Sequence, residues 1–317
     1  MNFVFLMDPL DQVKMEKDTS FILMLGAHKR GHQVFFLADG GISQTHEKSI
    51  FHVDHVTPQR NKERPFIINA HKELHEYDVD AVFIRTDPPF DYKYLMHTWM
   101  LDRLSPHIAV INTPSGIRTA NEKVWAMQFA SVIPSTLLGR NKADLLTFIQ
   151  REQDVIAKPT DGFGGQAVFR LAEGELNTNV ILETLTHNFS RDIILQKFVP
   201  ESSEGDKRIL LLNGKPLGAV LRRHAADDHR NNFFSGGKPL KADITENDLM
   251  IIHQLKPHLI KSGLYFVGID IIGDFLIEIN VTSPTCLQEI NRFNNKQLEN
   301  DVIDFAENLV KSKQDKE

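Results

Sequence analysis

The sequence predicts an α/β and α+β protein: an N-terminal region built on a Rossmann-like parallel sheet, followed by α+β lobes. Three observations carry this prediction. The chain opens with an apolar strand, a capped helix and a second apolar strand, and this β-α-β order implies parallel strands. From about Ser131, short strands and hairpins alternate with isolated helices. The length of 317 residues and the hydrophobic content of 41% suit a globular protein of about two domains.

The composition restricts the class of protein. The formal net charge is −6 and no segment is strongly basic, so we expect no nucleic-acid partner. The single cysteine, Cys286, excludes an intrachain disulfide, favours a reducing compartment and is expected to be a small core residue. The first residues reach Asp8 and Pro9 too early for a signal peptide. The apolar run 21–27 is too short to span a bilayer, so we expect a cytoplasmic protein without a membrane partner.

The N-terminal elements follow from hydrophobic runs and their punctuation. A helix begins at Asp18 or Thr19 and ends at Gly31, and a second helix covers about 115–130. Apolar runs predict strands at 3–7, 34–37, 81–84 and 108–112. Polar residues lie at the carboxyl ends of three of these strands, where open α/β sheets bind ligands: Asp8, Arg85, Asp87 and Asn112. The glycine-rich dinucleotide fingerprint is absent after the first strand, which argues against NAD binding.

A lysine and a glycine-rich loop mark a candidate phosphate site. A strand delivers Lys158, and the loop that follows contains Gly162, Phe163, Gly164 and Gly165. Glycines let backbone N–H groups approach an anion, and a lysine supplies a point charge for phosphate. The competing interpretation is a plain hairpin loop with a surface lysine.

The run Gln196, Lys197, Phe198 and Val199 is a candidate adenine site. Backbone donors and acceptors at a strand edge can bind the base, and Phe198 can flank its face. An ordinary amphipathic edge strand is the competing interpretation.

A hairpin at Asn213-Gly214 brings two basic segments together. A strict two-residue turn would place Arg208 opposite Ala219 and on the same face as Arg223, with Arg222 on the other face. A bulge would reverse the assignment of the two neighbouring arginines. Arginine forks match carboxylate and phosphate oxygens, although a solvated basic face would show the same pattern.

The polar span 225–241 is expected to be a mobile loop. It contains Arg230, Asn232, Gly236 and Gly237. Such a cationic loop can close over negative charge and exclude water. Surface loops are also often this polar without any catalytic reason.

The most informative segment, 268–285, places Asp270, Glu278 and Asn280 among aliphatic residues. The segment predicts two strands joined by a tight turn, and buried carboxylates need a partner. Three oxygen ligands facing one cleft suit Mg²⁺ with nucleotide phosphates. A two-residue turn at Gly273-Asp274 would put Asp270 on the face opposite Glu278. If the three residues share a metal, we therefore predict an odd-length turn or a bulge.

These elements, in this order, resemble those of the ATP-grasp ligases and, more closely, the bacterial glutathione synthetases. The similarity spans nearly the whole chain. It is carried by segments 7–9, 17–21, 85–91, 121–123, 158–165, 205–208 and 266–286.

The resemblance implies an ATP-grasp fold with an N-terminal Rossmann-like substrate domain at 1–120, a central ATP lobe at 121–191 and a C-terminal lobe at 192–317. It implies that γ-glutamylcysteine, glycine and ATP give glutathione, ADP and phosphate through an acyl phosphate. It also implies Mg²⁺, one or two ions with Mn²⁺ as an alternative, and a homotetramer or a dimer.

The resemblance also assigns roles to residues. Lys123, Lys158 and the glycine loop would hold phosphates, residues 196–199 would frame adenine, and Asp206 and Arg222 would bind the nucleotide. The catalytic residues would be Arg208, Arg230 and Asn232. The metal ligands would be Asp270, Glu278 and Asn280. The substrate contacts would be Asp18, Ser20, Arg85 and Ser283, with Gly236 and Gly237.

The segment 222–230 departs from the family, which has a glycine-rich loop here. The flanking arginines and Asn232 remain, so the departure bears on loop closure more than on chemistry. Three other functions stay open: another ATP-grasp carboxylate–amine ligase, an ATP-grasp kinase, and a non-catalytic ATP-binding regulator. The complete acidic triad and both lysines argue against the regulator.

Overall fold

The computed structural model describes residues 1–162, 164–223 and 237–315. Within these ranges the chain forms three sheets of seven, four and five strands, flanked by helices. No helix in the described ranges is long and apolar enough to cross a membrane. Cys286 is buried, as its expected role in the core requires.

The first sheet combines a parallel part with an antiparallel extension. Its elements are β1 (Asn2–Leu6), α1 (Thr19–Lys29), β2 (Gln33–Leu37), β3 (Ile42–Gln44), β4 (Ser49–Pro58), β5 (Phe66–His75), β6 (Ala81–Ile84), α2 (Tyr92–Asp102), β7 (Ala109–Ile111) and α3 (Pro114–Thr119). Strands β2, β1, β6 and β7 are parallel, as the β-α-β order predicts. Strands β3, β4 and β5 extend the sheet beside β2 and were not predicted. Half of the residues of β5 are exposed and only Phe66 and Leu74 are buried, so the strand lacks a regular apolar alternation.

The predicted helix at 115–130 is wrong beyond Thr119. Helix α3 ends at Thr119, and only a short 3₁₀ turn, Trp125–Gln128, follows. The Asn121 side chain accepts hydrogen bonds from the N–H groups of Lys123 (3.0 Å) and Val124 (2.9 Å). Such a local side-chain bond competes with helical hydrogen bonding.

The second sheet is antiparallel and has its own hydrophobic core. Its elements are β8 (Thr136–Gly139), α4 (Lys142–Glu152), β9 (Asp154–Pro159), β10 (Phe169–Ala172), α5 (Thr178–Leu185) and β11 (Ile193–Lys197). The strand order is β10-β9-β11-β8. Leu145, Phe148, Leu182 and Leu195 lie in a core cluster drawn from this region alone among the described residues. Because β11 pairs within this sheet, a boundary between the two later lobes is better proposed after Lys197 than after residue 191.

The third sheet is also antiparallel. Its elements are β12 (Asp206–Leu212), β13 (Lys215–Arg223), β14 (Lys238–Lys241), α6 (Glu246–Lys261), β15 (Phe266–Ile272), β16 (Phe275–Asn280), α7 (Leu287–Asn294) and α8 (Glu299–Gln314). The strand order is β14-β13-β12-β15-β16. The end of the predicted loop 225–241 is therefore a strand, because β14 pairs with β13. Residues 225–236 of that loop lie outside the described residues.

The first and third sheets share their hydrophobic cores. One buried cluster joins Val82 and Ile84 of β6 to Val267 and Ile269 of β15. The buried Asn112 side chain adds polar contacts: its amide nitrogen donates to the carbonyl oxygens of Phe266 (2.9 Å) and Val281 (2.8 Å). This packing fixes the carboxyl ends of the parallel strands beside β15 and β16.

Candidate active site

A cleft of about 260 Å³ lies between the second and third sheets. Strands β9 and β11 line it on one side, and β12, β13, β15 and β16 line it on the other. Asp87 and Pro88, which follow β6, also reach the cleft, as the strand-end argument predicts. The site is therefore assembled from all three sheets.

A bulge in the β15–β16 hairpin aligns the acidic residues. Ile272 pairs with Phe275, as a two-residue turn requires, but the register shifts and Asp270 pairs with Glu278. Ile277 is the unpaired residue of this bulge. Paired residues of antiparallel strands share a face, and Asn280 lies two residues from Glu278. The three predicted metal ligands thus lie on one face, and the conditional prediction of a bulge is confirmed.

A second bulge, at Leu217, decides which arginine faces the cleft. Arg208 pairs with Val220 instead of Ala219, and Asp206 pairs with Arg222. The arrangement expected from a strict turn is wrong, and the reversed arrangement expected from a bulge is correct. Arg222 is buried, whereas Arg223 is exposed.

The two arginines enclose Asp270. Arg208 donates to both Asp270 oxygens, through Nε and through Nη2 (2.9 Å). Arg222 Nη2 lies 2.9 Å from Asp270 Oδ2 and donates to Asp206 Oδ2 at 2.8 Å. Burial alone would raise the pKa of Asp270, but the two guanidinium groups hold that pKa well below its ordinary value. Asp270 is therefore a charged carboxylate at neutral pH.

Glu278 is the available carboxylate of the site. In the described ranges its side chain has no hydrogen-bond partner. Burial raises the pKa of Glu278, and the positive charge of Lys123 opposes that rise. A desolvated carboxylate without a partner is costly, which favours a bound cation.

The donor set fits a hard divalent cation. Asn280 donates its amide nitrogen to Gly268 O (3.4 Å) and to Asp270 Oδ2 (3.3 Å), which leaves its oxygen for a ligand. Among the described residues, no three His, Cys, Asp or Glu side chains converge. Asp270, Glu278 and Asn280 thus offer two carboxylates and one amide, the oxygen ligands typical of Mg²⁺ sites shared with phosphates.

Two lysines face the acidic group: Lys158 on β9 of the second sheet, and Lys123 in the segment between α3 and β8. The Lys158 ammonium is buried and donates to Gln196 Oε1 at 3.0 Å. Burial lowers the pKa of Lys158 to about 8, while the charge of Glu278 acts in the opposite direction. Lys123 Nζ donates to the carbonyl oxygens of Gly162 (2.6 Å) and Asp161 (3.3 Å). The two lysines and the glycine loop form the cationic side of the cleft.

The predicted adenine segment lies at the edge of the second sheet. The N–H groups of Lys197 and Phe198 donate to Ser135 O (2.8 Å) and Asp154 O (2.9 Å), so these two donors are already used. The Gln196 side chain accepts from Lys158 Nζ (3.0 Å) and donates to Thr136 Oγ1 (2.9 Å). Four aliphatic side chains, absent from the sequence prediction, add an apolar lining suited to a flat ring: Ile156, Val168, Ile272 and Ile277.

The predicted substrate residues lie around Arg85. Its Nε donates to Ser20 Oγ (3.0 Å) and its Nη2 donates to Pro284 O (2.9 Å). Its Nη1 is buried and has no partner in the described part of the chain. Asp18 accepts a hydrogen bond from Phe21 N (2.7 Å) as the cap of α1. Of the four candidates Asp18, Ser20, Arg85 and Ser283, Ser283 lines the cleft.

Most of the predicted site residues meet in the cleft. Those lining it are Lys123, Lys158, Gly164, Gly165, Gln196, Lys197, Phe198, Val199, Asp206, Arg208, Arg222, Asp270, Glu278, Asn280 and Ser283. Those that do not line the cleft formed by the described residues are Asp18, Ser20, Arg85, Gly162 and Gly237. Phe163, Arg230, Asn232 and Gly236 lie outside the described residues.

The sequence prediction missed several cleft residues. Glu122, Thr282 and Thr285 line the cleft beside predicted neighbours. Ile156 could have been found, because it lies two residues before Lys158 on the same strand and so shares its face. Ile277 could not, because its position depends on the bulge.

Two family models match this sequence. The prokaryotic glutathione synthetase N-terminal domain matches residues 1–118, and the prokaryotic glutathione synthetase ATP-grasp domain matches residues 122–295.

Individual proteins are also similar to this chain in sequence or in structure. The chain is 38% identical over 286 residues to the glutathione synthetase of Escherichia coli O157:H7, covering 90% of this chain and 91% of the relative. It is 37% identical over 311 residues to that of Gloeobacter violaceus, covering 96% of each. The solved D-cycloserine synthetase DcsG superposes with a TM-score of 0.66 at 14% identity, covering 98% of this chain and 99% of that one. An ATP-grasp ligase, PsnB, superposes with a TM-score of 0.63 at 14% identity, covering 96% and 98%. The structural likenesses show the fold.

Proposed function

The chain belongs to the prokaryotic glutathione synthetase family, and on this premise we propose how its residues carry out the reaction. It is an ATP-dependent ligase with the ATP-grasp fold, which joins γ-glutamylcysteine to glycine and gives glutathione, ADP and phosphate.

The reaction proceeds through an acyl phosphate. A carboxylate oxygen of γ-glutamylcysteine attacks the γ-phosphorus of ATP, the bond to the β-phosphate oxygen breaks, and ADP leaves. The glycine amine then attacks the acyl carbon, and phosphate leaves as the amide forms and the amine loses a proton. Phosphorylation replaces an oxide leaving group with phosphate, which divides one difficult step into two easier ones.

The protein contributes positioning and charge. Lys123, Lys158 and the glycine loop hold the triphosphate, and the aliphatic wall with residues 196–199 holds the adenine. Arg208 and Arg222 face the same cleft and stabilise negative charge that develops on phosphoryl and acyl oxygens. Such preorganised charge acts without rearrangement during the reaction.

Asp270, Glu278 and Asn280 would hold one or two divalent cations, Mg²⁺ or alternatively Mn²⁺. A cation there supplies positive charge to the phosphate oxygens. The observation that carries the proposal is the pair of bulges, which place these ligands, both arginines and Asp206 on one face of the third sheet.

The remaining proposals rest on the family and the sequence. We place the enzyme in the cytoplasm and expect a homotetramer or a dimer. We divide the chain into an N-terminal substrate domain up to residue 120, a central lobe extending through Lys197, and a C-terminal lobe. The residues around Arg85, with its unpartnered Nη1, are proposed to contact γ-glutamylcysteine.

Phosphate release tests the function. The purified protein is incubated with ATP and Mg²⁺, with γ-glutamylcysteine and glycine added separately and together. We expect turnover only when both are present, with glutathione detected by mass spectrometry. Turnover with another amine would indicate a different ligase, and a stable phosphorylated product without amine would indicate a kinase. Binding of ATP without turnover would indicate a regulator.

A further inference from the structure

Residues 121–123 connect the glycine loop of the second sheet to the metal-ligand strand of the third. On one side, Asn121 Nδ2 donates to Thr160 O at 3.1 Å, and Lys123 Nζ donates to Gly162 O at 2.6 Å. Both bonds hold the backbone that begins the glycine loop. The start of the loop is therefore tied to this short segment.

On the other side, Glu122 holds the end of β16. Its Oε1 accepts three hydrogen bonds, from Val281 N (2.8 Å), Thr282 N (3.0 Å) and Thr282 Oγ1 (2.8 Å). Its own carbonyl oxygen accepts a fourth, from Ile279 N (2.9 Å). Glu122 thus accepts hydrogen bonds from backbone N–H groups on both sides of Asn280.

These bonds are of the stronger kind. Hydrogen bonds to an ionised carboxylate are roughly twice as strong as those between neutral groups. The carboxylate also lies near Glu278, whose pKa is raised first by burial and to a smaller extent by the charge of Glu122. A second negative charge beside Glu278 is unfavourable before a cation binds, and the three hydrogen bonds to the Glu122 carboxylate offset part of that cost.

We propose that Glu122 is a positioning residue that sets the distance between Lys123 and the metal ligands Glu278 and Asn280, so that both act on the same triphosphate. The proposal rests on the functions proposed above for Lys123, Glu278 and Asn280.

Two variants separate geometry from charge. Glu122→Gln keeps an acceptor oxygen for the three donors, whereas Glu122→Ala removes it. We expect the glutamine variant to stay within about 3-fold of the wild-type kcat. We expect the alanine variant to lose about 100-fold, the scale of loss when reacting groups are misplaced by about 1 Å. A glutamine variant as impaired as the alanine variant would overturn the positioning role.

Glu76 provides a matched control. Its carboxylate also accepts from backbone N–H groups, those of Ser49 (3.0 Å) and Ser105 (2.9 Å), but it lies in the short 3₁₀ turn after β5 and does not line the cleft. Glu76→Ala should lower the unfolding midpoint and leave kcat unchanged. If Glu122→Ala behaved in the same way, Glu122 would be merely structural and the inference would be wrong.

A binding measurement tests the inference without turnover. The Kd of a non-hydrolysable ATP analogue is measured by calorimetry with and without Mg²⁺. We expect Mg²⁺ to tighten the binding of the analogue to the wild type and to the glutamine variant. In the alanine variant we expect Mg²⁺ to tighten it much less. Equal tightening in all three would refute the positioning role. A wild type that binds in this way but makes no glutathione would refute the proposed function alone.

Discussion

Individual side chains in the cleft differ in whether they already have hydrogen-bond partners. Asp270 accepts hydrogen bonds from two arginines, whereas Glu278 has no hydrogen-bond partner among the described residues. Lys158 donates to Gln196, and its burial favours the neutral amine. The unsatisfied carboxylate and the desolvated ammonium are the groups that a metal–nucleotide complex would stabilise most.

The metal assignment predicts that Glu278→Gln nearly abolishes turnover. The substitution keeps the size of the side chain, breaks no hydrogen bond of the described residues and removes a costly buried charge, so the unfolding midpoint should not fall. We expect kcat to fall at least about 100-fold, the scale seen when one group that stabilises transition-state charge is removed. An unchanged kcat at saturating Mg²⁺ would contradict the assignment.

The low pKa of Lys158 predicts a pH-dependent affinity for ATP. The ammonium binds phosphate only when protonated, so the affinity should be full below pH 8 and should fall as the pH rises through about 8. Titration calorimetry with a non-hydrolysable analogue measures it. Lys158→Arg stays charged and should remove the pH dependence near 8, even if its affinity is lower.

The same shift has a consequence for stability. The unfolded chain has the ordinary, higher lysine pKa, so it binds more protons than the folded chain between pH 8 and 10.5. The contribution of Lys158 to the free energy of unfolding should therefore become more favourable as the pH rises through this window. The unfavourable contribution of Lys158 is greatest below pH 8.

At the scale of secondary-structure elements, bulges and caps decide which side chains face the site. The bulges at Leu217 and Ile277 each shift one strand by one residue, which turns Arg222 and Glu278 into the cleft. Helix α1 is buried on all sides from Thr19 to Ala27, so the N–H groups of its first turn need hydrogen-bond partners within the protein. Asp18 is one such partner and caps the helix through Phe21 N.

Replacing Asp18 separates helix capping from substrate binding. Asp18→Ala should lower the free energy of unfolding by about 1 kcal/mol, the usual value of an N-cap side chain. Asp18→Asn keeps a capping oxygen and should remain within a few tenths of a kcal/mol of the wild type. Urea unfolding measures both.

The kinetics of the asparagine variant then test the proposed substrate contact. A raised KM for γ-glutamylcysteine in this stable variant would support a contact through the charge. An unchanged KM would leave capping as the function of Asp18.

At the scale of the whole molecule, the first and third sheets form one structural unit and the second sheet has a core of its own. The shared clusters bury residues of β6 and β15 together, whereas the cluster of the second sheet is drawn from residues 145–195. The cleft lies between these two bodies. Residues 121–123 hold them at a fixed separation, so the geometry of the site depends on contacts across the whole chain.

Replacing Asn112 tests how much its side chain contributes to joining the first and third sheets. Its side chain makes three buried hydrogen bonds, including one accepted from Phe266 N at 2.7 Å. Asn112→Ala leaves buried partners unpaired, so we expect the free energy of unfolding to fall by about 3 kcal/mol. The exposed Asn69, which donates to Thr57 Oγ1 at 3.0 Å, is the control. Asn69→Ala should change stability by less than about 0.5 kcal/mol, and an equal effect of both variants would contradict the proposed joint.

The sequence by itself determined the fold class, the parallel strands of the first sheet and the residue types of the site. Apolar runs, caps and turn residues act over a few positions, so strands 81–84 and 34–37 and the cap at Asp18 could be predicted locally. The pairing of Leu212 with Lys215 likewise follows from the Asn213-Gly214 turn alone.

Only the tertiary structure decided which of these residues act together. The direction of Arg222 and the shared face of Asp270 and Glu278 depend on bulges, whose position is set by packing across neighbouring strands and not by the turn sequence. The antiparallel extension of the first sheet also escaped prediction, because half of the residues of β5 are exposed and the strand lacks an apolar alternation. The hydrogen bonds of Glu122 to Val281 and Thr282 join residues about 160 positions apart in the sequence, a separation over which no local pattern carries information.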